Sequence, residues 1–120
     1  MESISRNRGV TVIELARSYD SADTEANPRL EKVLHEQVDN AEPPLVVVDM
    51  SRTASIDSTF IGLLFAVEKR LARRQGKLAL CAADVFCSEV FRVVKLDSIF
   101  KSYPTRDEAV DGLKAGHVAN

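Results

Sequence analysis

The sequence has only two cysteines, Cys81 and Cys87, and no long apolar run. Two cysteines cannot form a disulfide framework or a metal cage by themselves, and their apolar neighbours indicate small buried hydrophobic residues. No segment approaches the roughly twenty apolar residues that a membrane span needs. The first six residues lack the apolar region of a secretory signal. The sequence therefore predicts a cytoplasmic protein with reduced thiols and no membrane association.

An excess of charge of one sign is also absent. The chain has 16 basic and 18 acidic residues, which leave a formal net charge of −2. Because nucleic-acid binding needs a basic footprint, we expect no direct contact with nucleic acid and a partner recognised by a local surface. The carboxylates and histidines show no metal-ligand spacing, and there is no Walker-type phosphate loop. We therefore expect neither a metal nor a cofactor.

Length and composition predict one globular domain. A chain of 120 residues fits the usual length of a single domain. Its 45% hydrophobic and 28% charged residues are typical of a folded protein rather than a disordered one. No repeat, low-complexity segment or internal linker is present. We predict a single domain over residues 1–120, with a core at about 9–113 and a polar tail at 114–120.

The order of strand-like and helix-like segments predicts an α/β domain with a mixed sheet of four to five strands and about four helices. Strands at about 2–6 and 10–16 flank a short turn, which indicates an antiparallel hairpin. A polar loop is expected over residues 17–27. The run at 45–49 is apolar on both faces and predicts a central strand. Strands at 77–81 and, at the sheet edge, 101–103 follow. Right-handed crossovers place these later strands parallel beside the hairpin.

Four segments have the periodicity or the end signals of helices. They lie between residues 28 and 42, over 59–75, over 85–96 and over 105–114. The apolar face of the third is expected to consist of Val85, Phe86, Val90, Phe91, Val93 and Val94. The first is expected to have Asn27 at its N-cap and Pro28 at its first position. The second is expected to end at Gly76 as a C-cap. The segment Thr105–Glu108 (TRDE), which includes Arg106, forms a capping box that opens the last helix.

Polar residues collect at the carboxyl ends of the predicted strands, where α/β domains meet ligands and partners. They are Asp20, Asp49, Ser51, Asp57, Ser58 and Thr59. Either Asp57 or Ser58 is expected to cap the second helix, and on that pattern alone the segment is an ordinary helix start. The free amides and dipole there favour negative charge, so a phosphate on Ser58 would be tolerated locally. It would also make the exposed edge strongly acidic.

The same region resembles the signature of the STAS domain family (sulphate transporter and anti-sigma factor antagonist). The matching segments are 46–49 (VVVD), 56–64 (IDSTFIGLL), 76–80 (GKLAL), 93–100 (VVKLDSIF) and 103–110 (YPTRDEAV). They follow one another at the family's spacing, and the resemblance covers about residues 9–113. Two positions depart from the pattern: Phe60 stands where many members have glycine, and Arg17 replaces a glycine that is frequent after the second strand.

The resemblance implies a stand-alone bacterial anti-sigma factor antagonist, with Ser58 as the phosphoacceptor. Its partner would be an anti-sigma factor of the GHKL serine-kinase type, which the unphosphorylated antagonist binds, freeing a sigma factor. Phosphorylation would release the partner, and a phosphatase would reset the system. Asp57 would orient Ser58, Asp20 and Asp49 would line the docking edge, and Thr59 would be a less favoured second acceptor.

Two other functions stay open. This chain also resembles small STAS proteins that are accessory subunits of ABC-type phospholipid transporters. Those proteins bind an ATPase subunit without being phosphorylated. It further resembles STAS proteins that are components of stress-signalling scaffolds. A hydrolase with Ser58 or Cys81 as nucleophile would need an adjacent base. The histidines are His35, on a helix, and His117, in the polar tail, and no Gly-x-Ser-x-Gly elbow is present. We therefore predict that the protein is not an enzyme. A co-purifying GHKL-type kinase would indicate the anti-sigma factor antagonist, and a nucleotide-binding subunit would indicate the transporter accessory protein.

Overall fold

The structure, a computed structural model, describes residues 1–116 and is built on a five-stranded mixed sheet. Within these residues the strands are β1 (Ser3–Asn7), β2 (Val10–Glu14), β3 (Ser18–Tyr19), β4 (Leu45–Asp49), β5 (Ser55–Ile56), β6 (Lys77–Cys81) and β7 (Lys101–Tyr103). The main sheet has the order β1-β2-β4-β6-β7, and β3 pairs with β5 in a separate two-stranded ribbon. The predicted α/β class and mixed sheet are confirmed.

The first hairpin and the central strand lie where the sequence predicts them. β1 and β2 pair antiparallel through a turn at Arg8 and Gly9, both of which have positive φ angles. β2, β4, β6 and β7 are parallel to one another. Every residue of β4 is buried, because this strand lies in the middle of the sheet with helices on both faces.

Helices cover both faces of the sheet. They are α1 (Ala26–Asn40), α2 (Ser58–Ala72), α3 (Val85–Val93) and α4 (Arg106–Gly116). The first three pack against one face, in a core that includes Val46 and Val48 of β4. α4 packs against the other face, over Leu45 and Val47. The alternation of side chains along a strand therefore divides β4 between two hydrophobic clusters.

The start of α1 differs from the prediction. The helix begins at Ala26, and the side chain of Glu25 at the N-cap makes no capping hydrogen bond. Asn27 as N-cap and Pro28 as first helical residue were therefore wrong, because Asn27 lies within the first turn and bonds to Asp57 instead of to its own helix. Pro28 is tolerated there because the amides of the first turn have no partner within the helix.

Gly76 is needed for a reason other than the predicted C-cap. α2 ends at Ala72, and the residue with left-handed backbone is Gln75, at a φ of 59°. A Cβ atom on Gly76 would lie 2.2 Å from the carbonyl oxygen of Pro44. Glycine is required there because the chain entering β6 passes directly against the chain entering β4.

α3 is shorter and more exposed than predicted. It ends at Val93 rather than at residue 96, and Cys87 and Phe91 face the core. Val85, Phe86 and Val93, which were expected to mark its apolar face, are 82%, 55% and 74% exposed. The apolar residues of this helix are spread over two faces, and the fold covers only one of them.

The last helix opens as predicted and continues further. The amide of Glu108 donates to the Thr105 hydroxyl oxygen at 3.2 Å, which confirms the cap. The helix runs to Gly116, so the first residues of the predicted tail are helical. The rest of that tail, with His117, lies outside the described residues. No helix within residues 1–116 is long and apolar enough to cross a membrane.

Candidate functional site

A two-stranded parallel ribbon brings two predicted site residues to one place. β3 pairs with β5 so that Ser18 lies opposite Ser55 and Tyr19 opposite Ile56. Asp20 and Asp57 are the next residues along each strand, so both lie at the same end of the ribbon. From the sequence, residues 17–27 were expected to form a loop, because a strand of two residues has no detectable periodicity.

The segment between β4 and β5 is held against the end of β2. The buried hydroxyl of Thr53 donates to the carbonyl oxygen of Ala16 at 2.7 Å. The amide of Ala54 donates to the carbonyl oxygen of Arg17 at 2.8 Å. These bonds fix the ribbon, and therefore the start of α2, relative to the main sheet. No local sequence signal predicted them, since the partners are far apart in the chain.

Asp57 caps α2 and leaves the following hydroxyls exposed. Its Oδ1 atom accepts a hydrogen bond from the amide of Phe60 at 3.0 Å. Of the two residues that the sequence offered as the cap, the structure therefore selects Asp57. Ser58 and Thr59 are the first two residues of the helix and are both exposed. Within residues 1–116, no side-chain hydrogen bond occupies the Ser58 hydroxyl.

Phe60 anchors the start of α2 in the hydrophobic core. Its side chain is fully buried, and its ring centroid lies 5.2 Å from that of Tyr19 at an interplanar angle of 34°. Such tilted aromatic pairs are favourable beyond the area that they bury. The residue that departs from the family pattern at this position thus packs the start of α2 against the end of β3.

Glu2 is held by two side chains beneath the site. The Tyr19 hydroxyl donates to Glu2 Oε2 at 2.5 Å, and Arg29 Nε donates to Oε1 at 3.0 Å. Burial alone would raise the pKa of Glu2, but the bonds from Arg29 and Tyr19 outweigh it and lower that pKa. Burial and the Glu2 carboxylate raise the pKa of Tyr19 well above its usual value, so this phenol stays protonated.

Asp49 lies in the interior rather than on the exposed edge. Its side chain is 6% exposed, and its Oδ2 atom lies 2.6 Å from Arg106 Nη2. Burial alone would raise the pKa of Asp49, but hydrogen bonds from the Ser51 amide and from Arg106 outweigh it and lower that pKa. A role for Asp49 in partner binding stays a prediction, while its observed contacts join β4 to α4. From the sequence, Arg106 was predicted only as part of a capping box.

A second unpredicted contact reaches Asp57 itself. The Nδ2 atom of Asn27, in the first turn of α1, donates to Asp57 Oδ1 at 3.1 Å. The same carboxylate oxygen therefore accepts from two helices. No local pattern in the sequence could have shown this bond, because thirty residues separate its partners.

The chemistry available at this site is that of an exposed hydroxyl beside a carboxylate. Burial raises the pKa of both Cys81 and Cys87 to about 12, so neither thiol is activated as a nucleophile. Within residues 1–116, no group of three or more histidines, cysteines or carboxylates is placed to hold a metal ion. The small α/β domain therefore presents Asp57, Ser58 and Thr59 side by side at the start of α2.

The chain belongs to the STAS domain family. The model of that family matches residues 4–109, which is most of the sequence. The match includes the first hairpin except for Ser3, the candidate site and the start of α4. Among curated proteins, none matches the chain at a significant level.

Solved structures with the same fold cover nearly the whole chain. An anti-sigma factor antagonist from Mycobacterium paratuberculosis superposes with a TM-score of 0.82 at 24% identity, covering 95% of this chain and 93% of that one. An anti-sigma-factor antagonist (STAS) domain protein from Planctomyces limnophilus gives 0.80 at 25% identity, with 94% and 97% coverage. The Bacillus cell fate determinant SpoIIAA in its phosphorylated form gives 0.69 at 18% identity, with 93% and 98% coverage.

Proposed function

We propose that this protein is an anti-sigma factor antagonist whose partner binding is controlled by phosphorylation of Ser58. The observation that carries the proposal is the exposed Ser58 hydroxyl, which directly follows the capping residue Asp57 at the start of α2. Membership of the STAS family supports it, as does the likeness in fold to proteins described as antagonists.

A phosphate at Ser58 is compatible with the folded domain. The first amides of a helix lack partners within it, and the helix dipole favours negative charge at that end. The phosphate would add about two negative charges and three acceptor oxygens. Since Ser58 is exposed, these charges stay hydrated, and the structure need not rearrange to hold them.

The same phosphate would oppose docking of a partner. A protein that covers the start of α2 has to remove the phosphate from water, and burying an unpaired charge is costly. Asp20 and Asp57 add negative charge at the same end of the ribbon. We propose that the partner docks on this surface, formed by Asp20, Asp57, Ser58 and Thr59, with Asp49 supporting it from within.

The partner in this proposal is an anti-sigma factor of the GHKL serine-kinase type. It binds the unphosphorylated chain and later transfers phosphate to Ser58, and a phosphatase restores the binding form. The chain itself acts as a cytoplasmic adaptor in the regulation of sigma-factor-dependent transcription and catalyses no reaction.

The proposal is tested with variants of Ser58 used as bait in a lysate of the source organism. Ser58→Ala should capture a GHKL-type kinase as the wild type does, whereas Ser58→Asp should capture at least tenfold less. Ser102→Asp is the matched control, because it places the same charge on an exposed serine of the edge strand β7, which is not part of this surface. The captured kinase with ATP should then phosphorylate Ser58, as read by peptide mass spectrometry.

Three results would overturn the proposal. One is equal capture of the kinase by Ser58→Ala and Ser58→Asp. Another is an unmodified Ser58 after the kinase has turned over. A third is capture of a nucleotide-binding transporter subunit, with no dependence on Ser58, which would identify a transporter accessory protein instead.

A further inference from the structure

Asn27 and Asp57 connect the starts of two helices. Asp57 Oδ1 accepts from Asn27 Nδ2 at 3.1 Å and from the Phe60 amide at 3.0 Å. One donor belongs to α1 and the other to α2, so the carboxylate is fixed from two sides. Because Ser58 directly follows Asp57 in the chain, its position relative to α1 is set by this pair of bonds.

The Asn27 side chain faces Asp57 with its donor nitrogen. Asn27 Oδ1 is buried and has no hydrogen-bond partner among the described residues. The opposite orientation of the amide would place Oδ1 against the carboxylate of Asp57, so the donor has to face Asp57. The asparagine therefore orients the Asp57 carboxylate from the first turn of α1.

We infer that Asn27 is a positioning residue for phosphorylation of Ser58, an inference that rests on the proposed function. In that transfer, Ser58 Oγ forms a bond to the γ-phosphorus of ATP while the bond from that phosphorus to the leaving ADP oxygen breaks. The hydroxyl proton passes to a base of the kinase. Transfer requires the hydroxyl to be held in line with the leaving group, and small displacements from that geometry slow it strongly.

The loss of Asn27 should therefore act on the rate of transfer rather than on docking. Without the amide, Asp57 still caps α2 through Phe60 but loses its tie to α1, so the Ser58 segment samples more orientations. The docking surface keeps all its residues, since Asn27 is not one of them, and Asp57 keeps its charge and its bond to the Phe60 amide. The kcat of phosphorylation should fall about tenfold while KM stays close to the wild-type value.

The test measures initial rates of Ser58 phosphorylation with the captured kinase and ATP for the wild type, Asn27→Ala and Asn40→Ala. Asn40 is the matched control, because it lies on the same helix and its Nδ2 bonds only to the Glu36 carbonyl of that helix, at 2.9 Å. Asn40→Ala should phosphorylate like the wild type. The Tm of each variant and its affinity for the kinase are measured alongside.

The outcomes separate positioning from structure. A lower kcat for Asn27→Ala, with Tm and affinity unchanged, supports the inference. An unchanged kcat overturns it, and so does a joint fall of kcat, affinity and Tm, which would assign Asn27 a structural role. If wild-type Ser58 is not phosphorylated at all, the proposed function fails and this inference fails with it.

Discussion

Arg106 and Asp49 form an ion pair that joins the start of α4 to the end of the central strand. Arg106 Nη2 lies 2.6 Å from Asp49 Oδ2 and 3.1 Å from Glu14 Oε2. A cation in the first turn of a helix is disfavoured by the helix dipole. It is tolerated here because two carboxylates from the ends of β2 and β4 surround the guanidinium.

Removing the Arg106 cation should leave the buried Asp49 carboxylate without its ion pair and therefore destabilise the protein. We expect Arg106→Met to lower the free energy of unfolding by about 2 kcal/mol, which is below the usual loss for a broken buried pair because Arg106 is partly exposed. Arg92→Met removes the exposed pair with Glu89 and should cost far less, because exposed ion pairs contribute little to stability. Urea denaturation measures both, and equal losses would show that the Asp49 pair is not effectively buried.

Acid should destabilise the protein partly through Asp49 and Glu2. Both carboxyls have a pKa in the folded state below their ordinary values of 3.8 and 4.5. Their stabilisation is therefore complete above the ordinary values and is lost as pH falls through the lowered ones. Asp49→Asn should show a smaller difference in unfolding free energy between pH 7 and pH 3 than the wild type. An identical difference in both proteins would rule out this contribution.

Substitution of Gly76 by alanine should destabilise the protein far more than the same substitution at Gly62. In Gly76→Ala the new Cβ atom would meet the Pro44 carbonyl oxygen at 2.2 Å, so the entry to β6 has to shift. We expect a loss of about 2 kcal/mol or more in the free energy of unfolding. Gly62→Ala is the control, since nothing lies within 4 Å of its added Cβ and the site is helical. That variant should gain about 0.5 to 1 kcal/mol. Similar effects in the two variants would contradict the close-approach argument.

The two thiols should react only when the protein unfolds. Cys81 and Cys87 are fully buried, and burial raises the pKa of each to about 12. We expect no reaction of the native protein with a disulfide reagent at pH 8 and two thiols per chain in 8 M urea. Ser88→Cys places a thiol on the exposed side of α3 and should react at once. Rapid labelling of the native wild type would show that the core around one cysteine opens.

Much of the fold could be predicted because its signals are local. The apolar run of β4 marks a buried strand whatever surrounds it, and the Thr105–Glu108 cap acts within one turn. The exposed start of α2 was also predictable, since Asp57 and Ser58 are adjacent in the chain. The end of α3 and the face that it buries were less predictable. Hydrophobic periodicity does not show how many faces of a helix the fold will cover.

Residues whose partners are distant in the chain could not be predicted in the same way. Asn27 looked like a helix cap and Arg106 like part of a capping box. In the structure their partners are Asp57 and Asp49, which are 30 and 57 residues away. Side chains of this kind take their roles from neighbours that the chain brings together only when it folds.

The amino-acid sequence by itself determined the class of fold, the antiparallel hairpin, the central strand and the exposed serine at a helix start. These follow from hydrophobic periodicity and short-range hydrogen bonding, which depend on residues within a few positions of one another. Only the tertiary structure decided that Asp49 is buried against Arg106 and that Asn27 holds Asp57. The physical reason is that a polar side chain bonds to whichever donor or acceptor the packed backbone places within about 3 Å, and that distance is set by the whole fold.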